Sequence, residues 1–301
     1  MFSFSKKQEV VSLCDVSFGG QPGRFPTVCF GGVFFRGKPK VDVVSDDVSA
    51  MYELSKKLGV PVVLDVFIRK SEYIVPVLDF VEEYVPESTP FSVDITDASV
   101  KLEVLKELDS RNLLDRTIYN SLHVGVTEKE ELALKNHTPA VCLVVAFNPR
   151  DNSPDGRFEV LSSGAGLARD GLLSIVGEVG FDRVLVDTAA LSPGNCSGAA
   201  LSSLAVVKEE FGLPAGCAIH NVVEKSLWLD EFSDVRGVVD AASNAGVCLF
   251  GGDFCLFGSA ASARNVLPVV AWQDILVSEY VQNYFGIEPE KCHPRMVLSN
   301  G

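Results

Sequence analysis

Apolar and polar positions along this chain follow two alternating periods. Runs rich in Val, Ile, Leu and Phe occupy residues 28–35, 60–68, 91–95, 117–124, 140–147, 183–189, 215–222 and 246–257. Between them lie stretches whose apolar residues return at the spacing of one helix face. A nearly continuous apolar run of strand length suits a strand covered on both sides, and strand–helix repetition specifies a parallel sheet. Eight such units predict a (β/α)8 TIM barrel, a fold of roughly 250 residues, within one domain over residues 1–301. The extra length falls at the front. Residues 1–25 predict a short N-terminal β-hairpin, with Val10, Val11 and Leu13 as its apolar positions and a turn-prone Gly19, Gly20, Gln21, Pro22, Gly23 after them. A doubly wound open sheet shares this periodicity. Its dinucleotide-binding form is disfavoured, because the lone Gly-x-Gly at Gly164 and Gly166 follows a loop and lacks a third glycine and an acidic partner.

Helix ends are marked by residues that satisfy unpaired backbone groups. Thr127 and Glu130 form a T-x-x-E capping box, and Ser45 is placed to cap a helix whose first turn holds Asp46 and Asp47. Gly212 and Pro214 end the helical segment 197–211. Pro76 falls inside 72–84, where it marks a helix start or a kink, and the Gly-, Pro- and Asp-rich stretch 149–166 reads as a large loop.

Charge narrows the partners. A formal net charge of -14, from 40 acidic against 26 basic residues, disfavours binding to nucleic acid or an anionic membrane surface. No apolar run approaches the roughly 20 residues of a membrane span. The first nine residues carry Lys6 and Lys7 but no signal-peptide core. The expectation is a soluble cytoplasmic protein without membrane insertion. The eight cysteines, at positions 14, 29, 142, 196, 217, 248, 255 and 292, form no C-x-x-C pair and no zinc-ligand cluster. They are expected to be free core thiols in a reducing compartment.

The active site of a (β/α)8 barrel lies at the C-terminal ends of its strands. There the sequence places Asp65, Asp94, Asn120, Asn148, Asp187, His220, Asn221 and Asp253. Any one of these would be an ordinary turn-former or helix cap. Together they are short carboxylates and carboxamides with almost no cation among them. That composition suits a neutral heterocycle rich in hydrogen-bonding groups rather than a phosphate. A metal cluster of Asp94, Asp187 and His220 is the competing chemistry, and no spacing requires it. No G-x-S-x-G elbow is present, and His123 and His137 stand alone, the latter at a helix end.

Five motifs carry a resemblance: Gly19-Gly20-Gln21-Pro22-Gly23 with Pro26-Thr27; Ile118-Tyr119-Asn120-Ser121; Ala146-Phe147-Asn148-Pro149; Ile219-His220-Asn221-Val222; and Gly251-Gly252-Asp253-Phe254. In this order, over residues 1–295, the chain resembles the H subunit of tetrahydromethanopterin S-methyltransferase and its bacterial relatives, which include methylcobalamin:tetrahydrofolate methyltransferases. More distantly it resembles the pterin-binding barrels of methyltetrahydrofolate:corrinoid protein methyltransferases and dihydropteroate synthase. The resemblance implies a pterin held by Asp94, Asn120, Asp187 and Asn221, with Asn148 beside them, and Asn221 nearest N5. A pterin presents N3–H and a 2-amino group, donors that buried carboxylates accept. Asn221 can follow the change at N5 without titrating.

The resemblance further implies transfer of a methyl group between methylcobalamin on a partner protein and N5 of tetrahydrofolate, giving 5-methyltetrahydrofolate. Its alternative is a tetrahydromethanopterin-specific component of a membrane methyltransferase complex. This chain lacks the D-x-H-x-x-G corrinoid motif, so a corrinoid-binding protein is the expected partner, together with a second copy in a homodimer and no metal of the chain's own. His220 departs from the small residue that the distant corrinoid methyltransferases carry before the Asn. A synthase-type barrel is disfavoured, because the strand ends lack the Lys and Arg that would hold a pyrophosphate.

Overall fold

The computed structural model describes residues 2–35, 41–191 and 197–298. Its central feature is a closed barrel of eight parallel strands. A two-stranded antiparallel hairpin precedes it, β1 (Val10–Leu13) and β2 (Val16–Gly19). The barrel strands are β3 (Val28–Phe34), β4 (Val62–Phe67), β5 (Phe91–Asp94), β6 (Thr117–Leu122), β7 (Val141–Val145), β8 (Val184–Asp187), β9 (Ala215–Cys217) and β10 (Phe254–Ser259). They follow one another around the ring, and β10 closes it on β3. The predicted barrel and its leading hairpin are therefore both present.

Strand alternation divides the side chains between two cores. Cys29, Val62, Leu64, Val93, Tyr119 and Cys142 pack outward against the helices. Val28, Phe30, Val63, Ile118, Leu143, Leu185 and Phe254 fill the barrel axis, where they meet Val11, Leu13, Val16 and Phe18 of the hairpin. The hairpin thus plugs the N-terminal end of the barrel. Burial of a side chain of this size contributes roughly 1.5–3 kcal/mol, so the plug is a substantial part of the core.

The structure differs from the sequence expectation in four places. Residues 246–249 belong to the helix Arg236–Leu249 and not to the last strand, which begins at Phe254. The seventh barrel strand stops at Cys217, and residues 220–222 lie in the short helix His220–Glu224. Apolar composition suits a buried helix as well as a buried strand, which is why the apolar runs extend past both strands. The stretch 149–166 is not a structureless loop. It holds the helix Pro154–Ser163, whose N-cap Ser153 accepts from Gly156 N–H and whose first position is proline. Ser45 is not a cap, because its helix already starts at Val41.

Other helix ends match expectation. Thr127 caps Glu128–Asn136 through Glu130 N–H at 3.3 Å. The reciprocal half of the box is not made, since the Glu130 carboxylate is taken by Lys101 Nζ at 2.9 Å and Tyr119 OH at 2.7 Å. Pro76 is the third residue of Ile74–Tyr84 and so sits at a helix start. Gly212, at φ +70°, follows the helix Ser197–Glu210 in a left-handed conformation where a side chain would be strained. Cys29, Cys142, Cys217, Cys248 and Cys255 are buried free thiols, as expected. Cys14 and Cys292 are exposed, which corrects the expectation for those two, and Cys196 lies outside the described residues. Among the described residues no helix is long and apolar enough to cross a membrane.

Candidate functional site at the barrel mouth

Period-2 alternation determines which strand-end residues look into the barrel. Along β4, Val63, Asp65 and Phe67 point to the axis, and β3 matches Gly32 to Asp65 and Phe34 to Phe67. On the next two strands Asp94 pairs with Asn120. Above the apolar plug these side chains open a cavity of about 580 Å³ at the C-terminal end of the strands. Its wall carries Asp65, Asp94, His220 and Asn221 of the predicted set.

The carboxylates are crowded and short of cations. Burial raises Asp94 to about 8, the neighbouring Asp65 and Asp187 charges add to the rise, and Lys101 opposes it. Asp65 is also raised by burial, against hydrogen bonds from Ser92 and Asn120, whose Nδ2 lies 3.3 Å from Asp65 Oδ1. Asp187, buried at the end of β8, is raised by burial to about 6. Ala189 N–H, donating to its Oδ1 at 2.8 Å, and the nearby Arg157 pull the other way. The acids of the mouth are therefore held above the ordinary carboxylate range, and would become full acceptors when donors arrive.

Two buried cations stand behind this wall, both committed to the frame. Lys101 donates to Glu130 and to Ser121 O, each at 2.9 Å, and so braces the end of β6 just beyond Asn120. Arg157, from the helix Pro154–Ser163, donates to Thr188 O at 2.6 Å and Ala189 O at 3.1 Å, fixing the chain just beyond Asp187.

The remaining predicted residues separate. Asn148 is buried, but its carboxamide is spent on its own loop, donating to Gly156 O at 3.2 Å and accepting from Arg150 and Asp151 N–H. Like Asn120 and Asp187, which stand behind the wall, it does not line the cavity itself. Asp253 does not belong to the mouth at all. It precedes β10, at the plugged end, and accepts from Lys208 Nζ at 2.6 and 2.7 Å and from Ala215 N–H at 2.9 Å. A last strand beginning at residue 246 would carry Asp253 to the mouth, but that strand begins one residue after it. His123 accepts from Gly125 N–H, and His137 caps Glu128–Asn136 against Asp109 at 2.6 Å.

Sequence reasoning passes over part of the wall. Phe30, Phe34, Phe35 and Phe67 form an apolar side, and Arg69, Glu224 and Ser259 lie on the rim. The aromatic side is discoverable, because Phe30, Gly32 and Phe34 alternate on β3 with the same period that brings Asp65 and Phe67 inward. A flat, polar-edged ligand would lie against these rings with its edge toward the acids. Asp240 has no such signal. It comes from the helix Arg236–Leu249 and holds His220 Nδ1 at 2.9 Å.

Comparison with known proteins agrees with this architecture. The structure is similar to dihydropteroate synthase from Yersinia pestis, with a TM-score of 0.59 over 89% of this chain and 98% of that one, at 12% identity, a likeness of fold alone. In sequence the chain is 33% identical over 308 residues, 98% of each chain, to the H subunit of tetrahydromethanopterin S-methyltransferase from Methanothermobacter thermautotrophicus. It is 32% identical over 312 residues to the H subunit of the putative methyltransferase mtx from Methanosarcina barkeri, covering 99% of this chain and 100% of that one. The profile of the tetrahydromethanopterin S-methyltransferase MtrH subunit matches residues 6–290, and the chain belongs to that family.

Proposed function

We propose that this chain is a methyltransferase that binds a tetrahydropterin in the barrel mouth and moves a methyl group between its N5 and a corrinoid carried by another protein. The observation that carries the reading is the wall itself: Asp65 and Asp94 from β4 and β5, with Asn120 bonded to Asp65, the phenylalanines of β3 and β4 next to them, and Asn221 from the chain beyond β9 on the same cavity. A pteridine edge offers N3–H and the 2-amino group to Asp94 and Asp187, and Asn120 completes the polar edge. Asn221 lies at N5. Asn148 acts by holding the loop that begins at the end of β7 rather than by touching the ring.

The relatives' names favour tetrahydromethanopterin as the substrate over the tetrahydrofolate expected from resemblance alone. Both share the pteridine head that the acids would hold. Those names, which describe components of larger enzymes, also support work alongside other chains, one of which brings the corrinoid to the open mouth. Transfer then needs little from this chain beyond in-line placement of N5, an effect that contributes up to roughly 7–11 kcal/mol in well-oriented systems.

The test is methyl transfer between free methylcobalamin and each tetrahydropterin in parallel, followed through the cobalamin spectrum. Transfer with tetrahydromethanopterin, lost in Asn221→Ala, is the expected result. No transfer with either pterin, and no binding of either, would overturn the reading.

A further inference from the structure

The proposed pterin contacts leave unused a histidine of the mouth that is held by a carboxylate. His220 stands on the cavity wall directly before Asn221, at the start of the short helix His220–Glu224. Its Nδ1 lies 2.9 Å from Asp240 Oδ1. Asp240 is held in turn by Asn244, whose Nδ2 is 3.3 Å from the same oxygen and 2.9 Å from Asp240 O. The far edge of the ring, Nε2 included, packs against Gly258 of β10, which lines the same cavity. A Cβ placed on Gly258 would overlap Nε2, so the imidazole occupies the space that a side chain on β10 would take. The ring is thus fixed from both sides, with Nδ1 on a carboxylate and Nε2 beside a glycine that leaves it room on the wall of the cavity. A carboxylate on Nδ1 fixes the tautomer and leaves Nε2 free to exchange a proton.

This arrangement matters because of the chemistry of N5. In a tetrahydropterin N5 is a secondary amine bearing a proton. When its lone pair forms the N–C bond, the Co–C bond breaks and its electron pair stays on cobalt, which passes from Co(III) to Co(I). N5 is left as a methylammonium, which must lose its proton to give the N5-methyl product. In the reverse direction N5 must gain a proton before it can leave the methyl carbon. A carboxamide cannot perform this step, so Asn221 does not complete the machinery alone.

Resting on the function proposed above, we infer that His220 is the group that exchanges this proton with N5, through Nε2, and that Asp240 is its positioning residue. The hydrogen bond and charge of Asp240 raise the imidazole's affinity for a proton, Glu224 adds to this, and burial opposes it. The other charged groups around the ring are Arg236, which donates to the carbonyls of Val223 and Glu224 and pairs with Asp230, and Asp65, Asp94 and Arg69 on the shared cavity wall. From β9 the adjoining titratable side chain is the buried Cys217, whose thiol burial keeps protonated.

The experiment measures kcat at saturating tetrahydropterin with free methylcobalamin as donor, as a function of pH, for the wild type, His220→Gln and Asp240→Asn. Saturation removes the titration of Asp94 from the profile, because bound pterin holds that carboxylate ionised. In the wild type kcat rises with pH as the imidazole loses its proton. His220→Gln is expected to lower kcat by about 10²- to 10⁴-fold, to abolish that rise, and to leave the pterin dissociation constant within a few-fold. The unchanged dissociation constant also shows that the variant is folded. Asp240→Asn moves the rise to lower pH while retaining most of the binding. A His220→Gln enzyme with wild-type kcat and pH profile, in a preparation whose wild type does transfer methyl, would overturn the role of His220 alone. Absence of pterin binding by the wild type would instead overturn the underlying function, and the proton exchange with it.

Discussion

At the plugged end of the barrel Asp253 is buried with a full set of partners, whereas at the open end the buried Asp65 and Asp187 and the half-buried Asp94 have too few. Lys208 brings its ammonium to both Asp253 oxygens and to Gly20 O, and Ala215 N–H completes the shell. That carboxylate ties the N-terminal segment to the barrel base and leaves no acceptor for a ligand. At the mouth the buried cations Lys101 and Arg157 are committed to Glu130 and to backbone carbonyls, and Asp94 is left at about 8. The same kind of side chain is structural where its charge is answered within the fold and available where it is not.

The largest effect should come from breaking the base. Lys208→Ala leaves Asp253 buried without its cation and is expected to destabilise the fold by about 3–5 kcal/mol in chemical denaturation. An unchanged midpoint would mean that the two ends do not differ as described. At the mouth the balance reverses, because Asn221→Ala should lower methyl transfer by about 10²-fold, near 2.7 kcal/mol of transition-state stabilisation, with little change in the unfolding midpoint.

Asp94→Asn probes the acids directly. It exchanges a charged acceptor for a carboxamide, and pterin affinity should fall by about tenfold or more, since hydrogen bonds to charged groups are worth about 1.5–3 kcal/mol. The smallest effect is on stability against pH. Carboxyls raised to about 8 at Asp94 and about 6 at Asp187 bind protons more tightly folded than unfolded. Their contribution is complete below the ordinary carboxylate range and is lost as pH rises through those values. The ligand-free wild type should therefore weaken between mildly acid and alkaline pH. Asp94→Asn should remove on the order of 1 kcal/mol of that decline, a fraction of the full shift because Asp94 is open to the cavity. A decline unaltered by the substitution would show that Asp94 is not the group responsible.

The contrast between the two ends is only half legible in the sequence. Strand and helix periods disclose the barrel, and Val11 and Leu13 disclose the hairpin, because burial leaves its mark on every second or every third to fourth residue. Asp65, Asp94, Asn120 and Asp187 are locatable because β4, β5, β6 and β8 end where their apolar runs end. Asp253 reads as a residue of the wrong end, since the apolar stretch before it belongs to a helix and composition does not separate a buried helix from a buried strand. The partnership of Lys208 with Asp253 spans 45 residues and that of Asp240 with His220 spans 20. Neither distance has a local signature. Asn148 looks like a ligand contact because it follows a strand, yet its amide organises the loop, an ordinary role for Asn that only the geometry distinguishes.

The central claim, that the under-partnered acids of the mouth receive a pterin, is tested most directly by calorimetric titration with tetrahydromethanopterin and tetrahydrofolate at neutral pH, in two buffers of different ionisation enthalpy. Saturable binding of at least one pterin, with release of about one proton as Asp94 ionises and loss of that release in Asp94→Asn, is the predicted result. Failure of both pterins to bind, or binding that Asp94→Asn leaves unchanged in affinity and proton release, would contradict it.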